Sequence, residues 1–533
     1  MYIAYRTSNG KTYAYVAESV REGQSVDKKY LINLGRVLDK DKDIYRNRER
    51  GVYTYDIATD SYGRVEPDFV EPPKRTPSRY VTVAGKKRSR LCIEFGNIFF
   101  LDSFLKKKGL YKIVDATGYG NPDTVRALVF YYILNPQSNA HAGDWYELSY
   151  AKCLFPHAAM SSQRISEALA GIGLEDAKRS FFSVYYPFIR RCTVPFPKDG
   201  YGMAENGEKG DGILIDSSGL PNSARLPVTA ISNHNGDINN EVRLIYVVQQ
   251  DTGLPLFFSY VAGNVVDAST IKNVVAHLKN NGIATKFAIL DAGYYNKRNA
   301  DALIGAKISF ITRVHANFKL FKDVVSEHRK QLECRENFIT YNGRFYYIKR
   351  VPCRIGEQND KDAYAYLGLD VAMRDQQKSG LRSRMADENL NDGDIYDSMG
   401  GYGLFMLVAT RPVAVDKVLS LYYTRNQIEE VFGVGKGNGK LLPLRMATED
   451  TFRGHLLITF IVSVILMLLR KEIKDTDMSV ESLFEELRHQ QGIVYDDAIV
   501  PSVAVKKMND IYKLLKVQCP SEIALKDGLP VKM

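Results

Sequence analysis

At 533 residues the chain is too long for one ordinary core, and at roughly 150 residues per domain it implies about three units. Its 45% hydrophobic and 25% charged residues are ordinary for a globular protein, which excludes wholesale disorder. Seventy-two Lys and Arg against 62 Asp and Glu leave a net charge of +10, favouring a polyanionic partner without specifying it. The six cysteines contain no C-x-x-C pair, so neither a zinc site nor a disulfide framework is signalled. The opening MYIAYRTSNGKTYAYV alternates and lacks the apolar core of a signal peptide. The longest apolar run, Leu456 to Leu469, is about 14 residues against the roughly 20 that span a bilayer, and reads as a buried core helix with no membrane partner.

Residues 1–70 are rich in Tyr, Val, Ile and Thr, broken by Asn9-Gly10 and Asp60-Ser61, which predicts a small β unit. Residues 71–90 combine three prolines with seven Lys or Arg and read as an extended basic linker, either solvated or lying on a DNA backbone. Apolar spacing of three and four through FGNIFFLDSFLKKKGL and DTVRALVFYYIL makes residues 91–205 helical, a region expected to be a DNA-binding domain. Within them MSSQRISEALAGI is a short capped helix whose Gln163 and Arg164 suit either groove reading or routine bundle packing.

Residues 206–314 read as three strands followed by alternating helix and strand, a mixed α/β sheet that is antiparallel first and parallel after. In residues 315–401 a hairpin at Asn342-Gly343 and the strand AYAYLGLDV mark a β insertion, with a polar loop from Arg374 to Gly400. Residues 402–475 return to the core through GLFMLVAT and a helix from Val413 to about Val434. Residues 476–533 form a C-terminal region expected to be helical, although its last forty positions carry little pattern.

The stretch LYYTRNQIEEVFGVGK carries the chemistry. On one helix of about 3.6 residues per turn, Tyr422, Arg425, Glu429 and Lys436 project at about 0°, 300°, 340° and 320°, a polar stripe about 60° wide. Charges at this spacing ordinarily mark a solvated face; a carboxylate among a guanidinium, an ammonium and a phenol also suits a metal beside a phosphate. Glu430 is the rival carboxylate, but at about 80° it leaves the stripe. Asp216 closes ILID and Asp291 closes FAILD, strand ends where an acid serves either turn chemistry or a ligand site. Three carboxylates from two strands and a helix can hold two Mg²⁺ about 4 Å apart, which activate a water or 3′ hydroxyl and stabilise the leaving oxygen of a phosphodiester. The four glycines from Gly433 to Gly439 predict an early helix end, with Lys436 on a loop.

The order Asp216, Asp291, Glu429, with Tyr422, Arg425, Glu429 and Lys436 as Y-x-x-R-x-x-x-E-x-x-x-x-x-x-K, resembles the DDE insertion-sequence transposases with the YREK signature. ILIDSSGL, GLPLFFSYVAGNVVDASTI, ILDAGYYNKRN and GHLLITFIVSVIL match their flanking text, and LINLGRV with EFGNIFFLDSFLKKKGL is similar to an elongated subgroup. The resemblance implies an RNase H-like catalytic core interrupted by the β insertion, and cut-and-paste transposition by a dimer on terminal inverted repeats and target DNA. It implies Asp216, Asp291 and Glu429 as catalytic metal ligands for two Mg²⁺, with Mn²⁺ able to substitute. It makes Tyr422, Arg425 and Lys436 phosphate contacts, and it implies a cytoplasmic, nucleoid-associated bacterial or archaeal protein. A nuclease without strand transfer and a catalytically inactive end-binding protein are the alternatives. Nucleotide binding fails on residues: Val434 and Leu441 stand where a P-loop needs Gly and Ser or Thr, and Asn438 where G-x-G-x-x-G needs its third glycine.

Overall fold

Alternating Tyr, Val and Ile near the N-terminus form β1 (Tyr2–Ser8), β2 (Lys11–Glu22), β3 (Ser25–Asp39), β4 (Ile44–Asn47), β5 (Gly51–Asp56) and β6 (Ser61–Gly63). The six pair in chain order as an antiparallel meander. Ala14, Val16, Leu34, Tyr45, Tyr53 and Tyr55 make its small core, and the Tyr53 hydroxyl donates to the Leu34 carbonyl at 2.6 Å. Asp60 adopts φ 48° in the last turn, whereas Asn9-Gly10 lies outside the described residues. The computed structural model describes residues 1–533 except 9–10, 23–24, 48, 66–68, 70–79, 84–85, 193–210, 223–225, 227, 235–236, 251, 266–269, 282, 284, 358–360, 388–400, 438, 445, 447, 496, 527–528 and 531–533. It divides into two units, Met1–Arg88 and Ser89–Met533.

The linker expected over 71–90 falls outside the described residues up to 79, and its remainder is not wholly extended coil. Tyr80–Val83 (β7) and Lys86–Glu94 (β8) are strands, as the β-branched run Val81-Thr82-Val83 favours. In the second unit come α1 (Gly96–Lys108), α2 (Pro122–Leu134), α3 (Ser162–Ile172) and α4 (Glu175–Cys192). Asn121 caps α2 through Thr124 N at 3.2 Å with Pro122 in the first turn, and Ser161 caps α3.

The mixed sheet is built from β9 (Asp211–Pro221), β10 (Ala230–His234), β11 (Asp237–Gln249), β12 (Pro255–Ala262), β13 (Thr285–Leu290) and β14 (Ser309–Val314). Helices α5 (Ile271–Asn280) and α6 (Lys297–Gly305) precede β13 and β14. The order β12-β11-β9-β13-β14 places three antiparallel strands beside two that run parallel to β9. Its strands are continuous apolar runs because both faces are covered: Ile213, Leu214, Ile215, Ala288, Ile289 and Ile311 are all at or near zero exposure.

The β insertion is not separate from this sheet. After α7 (Lys319–His328) come β15 (Phe338–Tyr341), β16 (Arg344–Ile355), β17 (Lys361–Asp370), α8 (Val371–Asp387) and β18 (Leu404–Ala409). β18 pairs antiparallel with β14, and β17, β16 and β15 continue outward from it. The edge that β18 would otherwise expose is thereby paired. The hairpin turns on Asn342 and Gly343, both at positive φ (47° and 73°), as a two-residue turn between Tyr341 and Arg344 requires. The loop expected from Arg374 is helical as far as Asp387; residues 388–400 lie outside the described set.

The helix expected over Val413 to Val434 is two helices, α9 (Val415–Tyr423) and α10 (Asn426–Lys436). The next, α11 (Glu449–Glu472), is long and apolar enough to cross a membrane by length and composition, yet 89% of that apolar window is buried in the protein. Thr448 caps it, Glu449 and Asp450 open it, and Arg470 and Lys471 close it, complementing the helix dipole. Against it α3 buries Ile165, Ala168, Leu169 and Ile172, while Gln163 and Arg164 both bind the Glu167 carboxylate, at 3.1 and 2.6 Å. That is the geometry of a bundle helix. Among its described residues the C-terminal region, expected to be helical, holds α12 (Val480–Arg488) and α13 (Lys506–Leu514) beside four short strands, β19 (Gln491–Tyr495), β20 (Ala498–Pro501), β21 (Ile523–Lys526) and β22 (Leu529–Pro530). β20 pairs with both β19 and β21, and the buried Tyr512 hydroxyl donates to Gln490 Oε1 at 2.5 Å. Runs as short as Ala498–Pro501 carry no periodicity to read.

Two tests follow from this packing. A Cβ on Gly454 would overlap the Leu169 carbonyl, so Gly454→Ala, although it gains about 1 kcal/mol of helix propensity, should be destabilised by about 1–3 kcal/mol net and lower the melting temperature. His455 is 2% exposed beside the Tyr132 hydroxyl, and its burial, only partly offset by a backbone hydrogen bond at Leu441, pushes its pKa down to about 4. The unfolded chain takes up that proton near pH 6.5 and the folded one only near 4, so its contribution is complete above about pH 6.5 and is lost, on the order of 3 kcal/mol, as pH falls towards 4. His455→Asn should therefore show a smaller loss of melting temperature between pH 7 and about pH 5 than the parent chain.

Candidate active site

Register brings the two aspartates together. β9 and β13 run parallel with Ile215 opposite Leu290, so Asp216 and Asp291 are the next positions on adjacent strands. Paired positions on parallel neighbours present their side chains to the same face. Asp216 does not end its strand as expected: β9 continues to Pro221, held by β11, and Asp216 lies opposite Tyr246. What ends there is the pairing with β13. Asp291 does leave its strand, standing just before a short turn at Ala292–Tyr294 without a side-chain cap bond to it, and Thr312 Oγ1 on β14 donates to its carbonyl at 3.1 Å.

The Tyr422–Lys436 stripe arises differently from one continuous helix. Between α9 and α10 the backbone makes i→i+3 bonds, from Arg425 N to Tyr422 O at 3.1 Å and from Ile428 N to Arg425 O at 2.9 Å. Such tight turns bring residues i and i+3 into line. Arg425 Cζ lies 6.0 Å from the Tyr422 ring centroid. Tyr422 is 4% exposed and the Arg425 side chain 16%, so that end of the stripe is no solvated face, whereas the Glu429 side chain is 56% exposed. Its ring meets Tyr423 at 5.6 Å, and Tyr423 stacks at 5.6 Å and 8° on Tyr341 of the β15 strand.

The Arg425 guanidinium stands among all three carboxylates. Nη1 lies 3.0 Å from Asp216 Oδ2 and 3.4 Å from Asp291 Oδ1, and Nη2 lies 3.2 Å from Glu429 Oε1. Burial alone would lower the arginine's pKa, but Asp291, Tyr422, Asp216 and Glu429 outweigh it and the net shift is upward. Burial chiefly raises the Tyr422 phenol, with Asp291 adding to it. Glu430 instead lines a cleft of about 1010 Å³ with Gln427, Met467 and Arg470, away from where the three carboxylates meet.

Lys436 does not sit on a loop. α10 runs through Gly433 and Gly435 to Lys436, whose Nζ donates to Ser218 Oγ at 2.6 Å and to the Gly219 carbonyl at 3.3 Å, just beyond Asp216 on β9. Burial lowers its pKa and the nearby Glu241 raises it, the net shift being downward. The glycines serve the reversal after the helix. Gly439 N bonds Val434 O at 2.8 Å and Leu441 N bonds Gly435 O at 2.9 Å, and a Cβ on Gly439 would stand 2.9 Å from the Gly435 carbonyl.

Ser218, Thr312, Arg243 and Tyr341 belong to this neighbourhood without having been singled out from the sequence. Arg243, 4% exposed, donates from Nε to Ser217 Oγ at 3.1 Å. Only the serines adjoining Asp216 offered any signal, since the others reach the site through pairing and stacking.

Among the described residues, no three acidic, histidine or cysteine side chains stand together as a ready metal cage. The three carboxylates are spread around a cation already present, the arginine. Their donor chemistry nevertheless fits a hard divalent ion, being wholly carboxylate oxygen and exceeding the arginine's charge by two.

No curated protein matches the chain. Among solved structures, a cryo-EM structure of a piggyBac transposase synaptic complex with hairpin DNA is similar at a TM-score of 0.40 and 11% identity, over 74% of this chain and 79% of that one. Residues 208–465, which carry the three carboxylates and the arginine between them, match the family described as transposase DDE domain, and this match supports a DDE transposase.

Proposed function

We propose that the protein is a cut-and-paste DNA transposase of the YREK type, which cleaves DNA at the ends of its element and joins the freed 3′ ends to target DNA. The observation that carries this reading is the meeting of Asp216, Asp291 and Glu429 around one cation, from two adjacent parallel strands and a helix. The strand order β12-β11-β9-β13-β14, three antiparallel then two parallel, suits an RNase H-like core. The net charge of +10 suits a polyanionic substrate.

In this reading Asp216, Asp291 and Glu429 hold two divalent ions, Mg²⁺ or Mn²⁺. When bound, such ions lower the pKa of an attacking water or 3′ hydroxyl and stabilise the leaving oxygen. Arg425 carries five N–H donors and binds a phosphate of the cut strand. Lys436, steered by Ser218 and the Gly219 carbonyl, holds a second phosphate along β9. Tyr422, buried against Arg425, acts chiefly by orienting that guanidinium. A homodimer assembled on the two element ends in the nucleoid completes the reading.

Purified protein with Mg²⁺ and DNA bearing its element's ends should cleave at those ends and join them to a target plasmid. Glu429→Gln should bind the same DNA with less than about a hundredth of the cutting rate, since one ligand of the ions is lost. Normal cutting by Glu429→Gln would refute the site, and cleavage without joining would favour a plain nuclease. Binding, followed by fluorescence anisotropy, should weaken by orders of magnitude between about 50 and 200 mM salt as counterions are released; a flat response would count against phosphate contacts.

A further inference from the structure

The arginine at the centre of the carboxylates is placed where a DDE site would need its metal. Its attachment is of a kind that can be given up. The one guanidinium is shared among three carboxylates, with nitrogen–oxygen distances of 3.0 Å to Asp216, 3.4 Å to Asp291 and 3.2 Å to Glu429. Nε is buried with no hydrogen-bond partner among the described residues. Buried donors are nearly always paired, so an orphaned N–H beside a charge marks a group whose full set of acceptors is absent. A phosphate, which accepts two parallel N–H bonds from one guanidinium, is the acceptor that geometry suits.

The charges give this a consequence. Three carboxylates left together without a cation would repel one another, and the arginine neutralises one charge of the three. A divalent ion entering beside the guanidinium would meet a like charge at contact distance. Metal and arginine therefore compete for the same oxygens, and whatever draws the arginine away strengthens metal binding.

We propose that Arg425 is an exchangeable counter-cation: it occupies the Asp216–Asp291–Glu429 cluster in the DNA-free protein and releases it to divalent metal when a DNA phosphate takes the guanidinium. This deepens the proposed function and rests on it. It makes the free enzyme metal-poor and couples metal loading to a bound DNA end. Because coupling is reciprocal, metal must tighten the grip on that end by the same factor.

The test is Mn²⁺ binding by the full chain, counted from the electron paramagnetic resonance signal of free Mn²⁺. Without DNA the parent protein should bind weakly, Arg425→Gln at least about tenfold more tightly because a like charge is gone, and Arg425→Lys close to the parent because the charge is kept. A saturating duplex carrying the element's terminal sequence should tighten Mn²⁺ binding to the parent and leave Arg425→Gln unchanged. Circular dichroism melts establish that each variant is folded; should Arg425→Gln fail to fold, the duplex effect on the parent decides the question by itself. Equal or weaker binding by folded Arg425→Gln, or no effect of the duplex on the parent, overturns the proposal. Asp216→Asn separates the two levels. If it abolishes Mn²⁺ binding while the arginine variants show no preference, the exchange fails and the metal site stands. If Mn²⁺ binding is indifferent to Asp216→Asn, the site itself is wrong and the exchange falls with it.

Discussion

Three carboxylates cannot share a half-buried pocket without a positive charge among them, and in this protein that charge is Arg425. Its guanidinium ties together two strands and a helix that are separated by 75 and 138 residues of chain, counted from Asp216 to Asp291 and from Asp291 to Glu429. Around this contact the surrounding structure is arranged to aim rather than to bind. Thr312 steadies the Asp291 backbone, Arg243 engages the serine after Asp216, and Lys436 grips the following two residues of β9.

The sheet makes that contact possible. β9 is paired on one side along its length by β11, but β13 leaves it at Leu290, which frees the face of Asp216 where the parallel pairing stops. The outer strands then bring a second layer of control. β15 and β16 are hydrogen-bonded into the same sheet through β17 and β18, and Tyr341 from that edge stacks on Tyr423 at the turn that aims Arg425. The insertion thereby reaches the arginine through three aromatic rings without supplying a carboxylate. On the opposite side α10 rests on α11, whose buried, apolar length is the spine of the helical layer.

Much of this was legible from residue order. The strand and helix alternation of 206–314, the buried nature of Leu456–Leu469 and the hairpin at Asn342-Gly343 all follow from periodicity and turn chemistry, which are local properties. The residues that escaped reading are those whose position depends on a partner far along the chain. Tyr341 shows no pattern of its own, and it matters because β15 is carried to α9. The break at Thr424 and Arg425 was hidden because nothing in LYYTRNQIEEVFG forbids a helix there. The glycines misled about Lys436 because their propensity cost is only about 1 kcal/mol each, which burial of Val434 and Leu441 against the core readily exceeds.

The sequence by itself determined which side chains were available: two aspartates at the close of apolar runs and a Tyr-Arg-Glu-Lys stripe, because local alternation and helical spacing are written into neighbouring residues. Only the tertiary structure decided that all three carboxylates converge on the arginine, that Tyr422 is buried and that Lys436 reaches Ser218. Those outcomes depend on strand register and on the close of one long-range pairing, and electrostatics between residues hundreds of positions apart has no local signature.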